Sequence, residues 1–564
     1  MQKLSPIEIN EICEELGETY PKSIEQVHGG DIHNAWRIEF SNKKLFLKRN
    51  IRNKKFLEFE KYCLQNLRKY INQENLIIPE VIAYKNIKNI EILLIESHTQ
   101  AGGCAGTFKR KNYIFDVGAT QVAGLEKGGI HSRIFDFLDI PSPEATILDP
   151  ACIVDLNDGG NPIPIWYEKS KWIAEREMQF PGSQRFWKLC TLIHESNWIF
   201  ANNNPVLPIS NFWDFSQLLK ALVPSNLVTG ILLKSTIFDL LRICGLSKNE
   251  RLIKFLNLQL KLYSQEDVYS TAALYGSTVL QMCQQPHGLW HLKKSMQSLS
   301  ESLESSLIKT GVNLIFGQEV NSITFDDVNM CWQLSANSKK KSFIYQAKDV
   351  IYTAPPQSLL KHLKDPLERK KNYKNRLNNL PDPSGAVVFY SALKKEHIKK
   401  TFSNHYQFVS KEFCSLFVSI SDDGDGRAPK GEVTLIASIF TKTKDWFDLD
   451  KQTYLKKKNG FMKKISLELE SQFDIDPEKW LHRELATPLG FEKWTKRPNG
   501  IVGGLGQNPD IFGLFGLSSR TPFEGLWLCG DSIYPGEGTA GVSQSALMVS
   551  RQILASKGIE NFSL

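Results

Sequence analysis

Paired cysteines, long apolar runs and blocks of like charge are all missing from this 564-residue chain. Its ten cysteines (Cys13, Cys63, Cys104, Cys152, Cys190, Cys244, Cys283, Cys331, Cys414, Cys529) are scattered singly, with no C-x-x-C pair. That excludes a disulfide framework or a zinc ribbon and, with no signal peptide at the start, places free thiols in a reducing cytoplasm. The longest apolar stretch, residues 227–246, is broken by Lys234, Asp239 and Arg242. Any membrane contact is therefore expected to be peripheral rather than spanning. The net charge of +8 is spread along the chain. That argues against a dedicated nucleic-acid binder and suits a surface that visits anionic membranes. Internal repeats and low-complexity tracts are absent as well.

What is present divides in two. Residues 1–96 read as a small α+β unit: a helix over 6–16, strands over 24–27, 35–40 and 44–48 around a Gly29-Gly30-Asp31 turn, a helical repeat of apolar residues over 56–70, and strands over 81–84 and 92–95. From Ser97 the texture changes to Gly-rich loop chemistry at Gly102, Gly103 and Gly106, then a strand over 113–117. Residues 170–308 carry helical periodicity rich in Trp and Phe. Strands are expected over 312–325 and 350–353, then over 386–391, 406–409, 416–419 and 433–440. The last segment reads strand (526–529), Gly-rich loop, helix (541–555).

The C-terminal pattern carries chemistry. Leu526-Trp-Leu-Cys-Gly-Asp531 is an apolar strand ending at Gly530 and Asp531, and Pro535-Gly-Glu-Gly-Thr-Ala-Gly-Val542 opens a helix. An Asp at a strand's carboxyl end can bind the hydroxyls of a sugar-like chain, and a glycine-rich helix start offers free N–H groups to an anion. An ordinary βα turn would use the same residue types. These residues resemble the C-terminal FAD signature of the phytoene-desaturase and amine-oxidase superfamily. That resemblance implies that Gly530 and Asp531 meet the ribityl chain and that Gly541 and Val542 lie against the isoalloxazine.

Upstream, Glu96 follows an apolar strand and precedes Gly102-Gly-Cys-Ala-Gly106 and Tyr113-Ile-Phe-Asp-Val-Gly118. A carboxylate there suits the ribose hydroxyls of an adenosine, and glycines after it let backbone approach a diphosphate. The order is similar to the superfamily's Glu-x5-Gly-Gly element, with Cys104 where most members have Arg. Phe180-Pro-Gly-Ser-Gln-Arg-Phe-Trp187 and Leu258-Gln-Leu-Lys-Leu-Tyr-Ser264 resemble the carotenoid desaturase and isomerase branch, and Gly317-Gln-Glu-Val320 resembles the segment that touches adenine. The resemblance covers residues 93–564. It implies an α/β fold with a Rossmann-like FAD domain (about 93–125, 295–360 and 495–564), an α+β substrate domain (126–294 and 361–494), FAD as cofactor and a carotenoid as substrate. His287 and His291, four apart, could share a helix face and hold a metal, but no third ligand is evident, and they fall where the family has a Pro-x-Gly-Gly loop.

One element of that fold has no counterpart. A Rossmann flavin domain opens with a strand and a G-x-G-x-x-G turn about twenty residues before its acidic residue. Residues 71–91 contain no glycine. In its place Val27-His-Gly-Gly-Asp-Ile-His33, Leu45-Phe-Leu-Lys-Arg-Asn50 and Leu57-Glu-Phe-Glu60 resemble the N-lobe of the fructosamine-kinase family, implying that Lys48 holds ATP phosphates and Glu60 pairs with it. The bland alternative makes both surface charges. No kinase catalytic loop follows. The expectation is an in-frame fusion, joined at Ile92-Leu-Leu-Ile-Glu96, of a kinase remnant (1–96) with a truncated FAD-dependent carotenoid oxidoreductase (97–564). The rival readings are a small-molecule kinase that at most binds ATP and a non-catalytic fusion protein.

Overall fold

The computed structural model describes residues 9, 12–13, 19–27, 34–41, 44–49, 91–339, 341–381, 383–399 and 402–559. They belong to two compact units, residues 1–92 with 554–562 and residues 93–553 with 563–564. In the first, β1 (Ser23–Val27), β2 (Asn34–Glu39) and β3 (Lys44–Arg49) form an antiparallel sheet in that order. Trp36, Ile38 and Phe40 alternate with Arg37 and Glu39, so all three point to one face, where they pack with Ile9 and Cys13. The expected helix over 6–16, the Gly29-Gly30-Asp31 turn, the repeat over 56–70 and the strand over 81–84 lie wholly or largely outside the described residues.

The second unit opens with β4 (Leu93–Glu96) and the hairpin β5 (Thr107–Arg110) to β6 (Tyr113–Asp116), then β7 (Ala145–Ile147), β8 (Cys152–Asp155) and β9 (Ile163–Ile165). A helical region follows, including α1 (Gln184–Asn202), α2 (Phe212–Ala221), α3 (Pro224–Thr229), α4 (Glu250–Ser264) and α5 (Ala273–Gln281). Phe186, Trp187, Cys190 and Ile193 of α1 and Leu252, Phe255 and Leu256 of α4 recur at helical spacing and close one core over β8 and β9.

Beyond it come β10 (Trp290–Leu292), α6 (Gln297–Lys309), β11 (Asn313–Phe316), the meander β12 (Glu319–Asp326), β13 (Cys331–Ser338), β14 (Lys341–Ala347), and β15 (Val350–Tyr352). Four longer strands follow: β16 (Gly385–Lys394), β17 (His405–Ser410), β18 (Cys414–Ile420) and β19 (Glu432–Thr441). The chain ends through α7 (Lys451–Phe473), β20 (His482–Ala486), β21 (Leu526–Leu528) and α8 (Thr539–Ser556). A seven-stranded sheet runs β20-β16-β19-β18-β17-β8-β9. Its strand β16 is apolar at nearly every position because both faces are covered. Val387, Phe389 and Leu393 pack toward Ile465, Leu469 and Phe473 of α7, and Val388 and Tyr390 toward Tyr113 and Phe115 of β6.

The nucleotide-type half of the fold is split. β4 pairs in parallel with β11, and β15 pairs in parallel with β21. Among the described residues no strand joins the two pairs, so β4 and β15 each keep one free edge. Parallel strands are normally buried on both faces. Here Leu93 and Leu94 of β4 and Ile351 of β15 are exposed.

Candidate functional site

The residues expected around a dinucleotide gather at the carboxyl ends of the two strand pairs. Glu96 closes β4, and its Oε1 accepts from the backbone N–H of His98 at 2.6 Å and from the Ser97 hydroxyl at 3.1 Å. The carbonyl of Glu96 accepts from Gln318 N–H at 3.0 Å, bringing β12 and its Val320 alongside. The loop that follows carries Gly102, Gly103 and Gly106. Gly102 has φ +118, and a Cβ there would stand 2.7 Å from Ser300 Oγ on α6, so only glycine allows this approach. Gln297 of α6 braces the same loop, donating to Ala101 O at 2.7 Å and accepting from Gln100 at 3.2 Å.

Helix α6 is itself fixed by a buried charge cluster. Asp116, at the end of β6, accepts the Met296 N–H at 2.8 Å and is ion-paired with Arg427 at 3.0 Å. Arg427 also binds Asp425 at 2.7 Å and the Leu292 carbonyl at 2.9 Å, and His291 meets Asp425 at 3.0 Å. These four side chains are almost fully buried. Burial alone would raise Asp425, but the His291 hydrogen bond and the Arg427 charge outweigh it and hold the carboxyl below its ordinary value. His291 therefore lies on β10, and His287 lies in the turn before it, against Glu126 at 3.3 Å and over Trp198. No helix carries the two together: Gln285–Pro286 and Gly288, at φ +111, lie in a turn, as the loop resemblance implies.

At the other end, β21 delivers Gly530 and Asp531. Asp531 is paired with Arg497 at 2.8 Å, and Cys104 lies beside the same guanidinium. Arg497 thus stands next to Cys104, the position at which the family resemblance implies an Arg. Gly541 and Val542 sit in the first turns of α8, with Val542 N–H bound to Gly538 O at 2.9 Å. Glu537, just before the helix, accepts at Oε2 from Gln265 at 2.7 Å and from Gly504 N–H at 3.2 Å. A Cβ at Gly503 (φ +71) would meet Glu537 Oε2 at 2.3 Å, so the strap over this carboxyl must be glycine. Two polar atoms here are sealed from solvent without a hydrogen-bond partner, Glu537 Oε1 and Arg497 Nε. Orphans of this kind suit a polar ligand such as a polyhydroxy chain, so the ribityl end of the site fits a flavin. Among the described residues no glycine-rich turn bridges β4 and β15.

Arg497, Gln265, Gly503, Gly504 and Glu537 were not singled out from the sequence. The crowding of Gly500, Gly503, Gly504 and Gly506 was the available signal. Lys48 lies on β3, while its side chain and all of Glu60 fall outside the described residues.

Burial pushes the Glu537 carboxyl up to about 8 against the hydrogen bonds from Gln265 and Gly504. The folded chain therefore holds a proton there that the unfolded chain releases above its ordinary value of 4.5. The stability this group supplies is complete below that value and lost as pH rises through about 8. Glu537→Gln is expected to flatten this fall, worth on the order of 3 kcal/mol. Melting temperatures of both proteins measured between pH 5 and pH 9 check it.

Two parallel strand pairs with cofactor-type residues at their carboxyl ends, beside a large mixed sheet, define a nucleotide-dependent oxidoreductase fold. The chain belongs to the flavin containing amine oxidoreductase family, which it matches over residues 86–554; it also matches the fructosamine kinase family over residues 6–102. Prolycopene isomerase 1 of an Oncidium hybrid is 24% identical over 497 residues, 84% of this chain and 81% of that one. The 4,4'-diapolycopene oxygenase of a Methylomonas species is 22% identical over 498 residues, 82% of this chain and 93% of that one. A crystal structure of a Methanosarcina mazei oxidoreductase shares the fold at a TM-score of 0.52 and 14% identity, covering 82% of this chain and 94% of that one. A Pyrococcus furiosus protein does so at 0.53 and 12%, covering 84% and 93%. Family membership implies a flavin cofactor.

Proposed function

We propose that this chain is by descent an FAD-dependent oxidoreductase acting on a carotenoid, by desaturation or isomerisation, and that its grip on FAD is weakened or lost. The relatives that act on lycopene-type polyenes support the substrate class. The single observation that supports the impairment is that, among the described residues, β4 and β15 each keep one free edge, where a Rossmann domain places its first strand and diphosphate loop. Bound FAD would supply the two-electron chemistry at the polyene. Glu96, Gly102, Gly103, Gly106 and Val320 would hold its adenosine end, and Gly530, Asp531, Gly541 and Val542 its ribityl and ring end. The helical region over 126–294 and the sheet over 361–494 would hold the polyene. The matches to two families overlap at residues 86–102, which supports a fusion through the β4 segment. We place the protein in the cytoplasm, touching membranes peripherally; among the described residues no helix is long and apolar enough to cross one.

The test is the flavin content of the purified full chain. Colourless protein that takes up FAD only at high concentration is expected. Stoichiometric, visibly absorbing FAD after purification would refute the impairment. A second reading, an ATP-binding kinase remnant, is favoured by the fructosamine kinase match over residues 6–102. Stabilisation of the colourless protein by ATP against heat would support it.

A further inference from the structure

We infer that α2, α3 and the turn that follows them form the face by which this protein docks on an anionic lipid bilayer. The inference rests on the proposed polyene substrate only for its purpose, because the observations are those of the surface itself. Large apolar side chains project from this stretch: Phe212 is 84% exposed, Leu219 54%, Leu227 73%, Val228 62% and Ile231 81%. Isolated exposed apolar residues are ordinary, but a sequence-contiguous set at this exposure marks an interaction surface.

The exposure is built into the fold. Asp214, fully buried beneath α2, accepts from Arg520 at 3.0 to 3.2 Å, pinning the inner face of that helix. The Asn203 amide holds the end of α2 through the Ala221 carbonyl at 3.1 Å. Behind α3, Asn226 donates to Ser196 Oγ of α1 at 2.8 Å and accepts the Val223 N–H at 2.9 Å. With the polar groups tied inward, the apolar tips can only face out.

Charge selects the occupant. From Pro205 to Lys234 the only charged residues are Asp214, Lys220 and Lys234. Asp214 is buried and neutralised, so the exposed charges of this stretch are both positive. Lys234 also reaches Asp510 at 2.8 Å and lies over the Phe515 ring at 3.6 Å. The exposed Asp510 offsets Lys234, so it is the apolar tips beside the exposed Lys220 that match the boundary between acyl chains and anionic headgroups.

Vesicle flotation of the full chain tests this without flavin or polyene, so its failure leaves the flavin reading standing and the reverse holds too. Wild type is expected to float with phosphatidylcholine vesicles containing phosphatidylglycerol, and more weakly with phosphatidylcholine alone. Phe212→Ser/Leu227→Ser/Ile231→Ser, with an unchanged melting temperature, is expected to lower partitioning more than about tenfold. Lys220→Ala should cost about fivefold on the anionic vesicles and nothing on the neutral ones. Wild type that stays at the bottom of the gradient, or a triple variant that floats as wild type does, overturns the inference. So does a wild-type dimer that the triple variant dissociates, which would give this face to a second copy of the chain.

Discussion

A chimera in which residues 1–92 are exchanged for the N-terminal strand, glycine-rich turn and helix of a prolycopene isomerase is expected to bind FAD about 10³-fold more tightly than this chain does. The estimate follows from what a diphosphate loses without its loop. Hydrogen bonds from backbone N–H groups to a charged partner contribute about 1.5 kcal/mol or more each. Three or four of them, less the cost of ordering the loop, leave about 4 kcal/mol. On the proposed reading the remaining contacts need no rebuilding, since Arg497 holds Asp531 and α6 braces the Gly102 loop. The inserted strand would also pair the free edges of β4 and β15 and cover Leu94 and Ile351. A second chimera with alanines for the loop glycines separates these effects. It should share the gain in melting temperature and lack the gain in FAD affinity. FAD fluorescence quenching on both proteins is the measurement, and equal affinities for the two chimeras would show that the strand rather than the loop governs binding.

The strands of the fold were legible where both faces are buried or where alternation is clean. The expectation over 386–391 falls on β16, over 433–440 on β19, and over 526–529 on β21. The hairpin formed by β13 and β14 escaped notice. Polar residues such as Ser335, Asn337 and Gln346 are interleaved with its apolar ones, and its buried Trp332 and Ala336 pack on one side only. The lack of a diphosphate turn is an expectation drawn from the glycine-free stretch 71–91, nearly all of which lies outside the described residues. What the sequence hid was the long-range pairing. Arg497 and Asp531 are 2.8 Å apart and Arg427 and Asp116 3.0 Å, although each pair is remote along the chain. For His287 and His291 the loop reading outweighs the helix that a spacing of four suggests, and His291 lies on a strand beside Asp425, a pairing no spacing announces.

Arg427→Ala is expected to cost about 3–5 kcal/mol of stability. Arg427 is the cation between two buried carboxylates, Asp116 and Asp425, and removing it leaves both without a full charge partner. Lost packing alone would give a loss that does not vary with pH. Loss of the charge gives a different signature. Without Arg427, burial dominates and lifts the two carboxyls, so the folded variant takes up protons that the unfolded chain has released. Its stability is then greatest at low pH and falls as pH rises; the wild type shares part of this trend, because burial already lifts Asp116 despite Arg427, whereas its Asp425 is held low and loses its contribution only as pH falls through that lowered value. Melting temperatures at pH 5 and pH 8 should therefore bring variant and wild type closer together at the lower value. Asp116→Asn/Asp425→Asn added to Arg427→Met should recover much of the loss, because an uncharged cluster of similar volume has no bare charge to bury. The cluster also fixes Met296 at the start of α6, and through Gln297 and Ser300 that helix shapes the Gly102 loop. Arg427→Ala should accordingly expose the loop over 97–106 to protease before the seven-stranded sheet unfolds, tying the stability of a buried ion cluster to the geometry of the loop proposed to hold the cofactor's adenosine end.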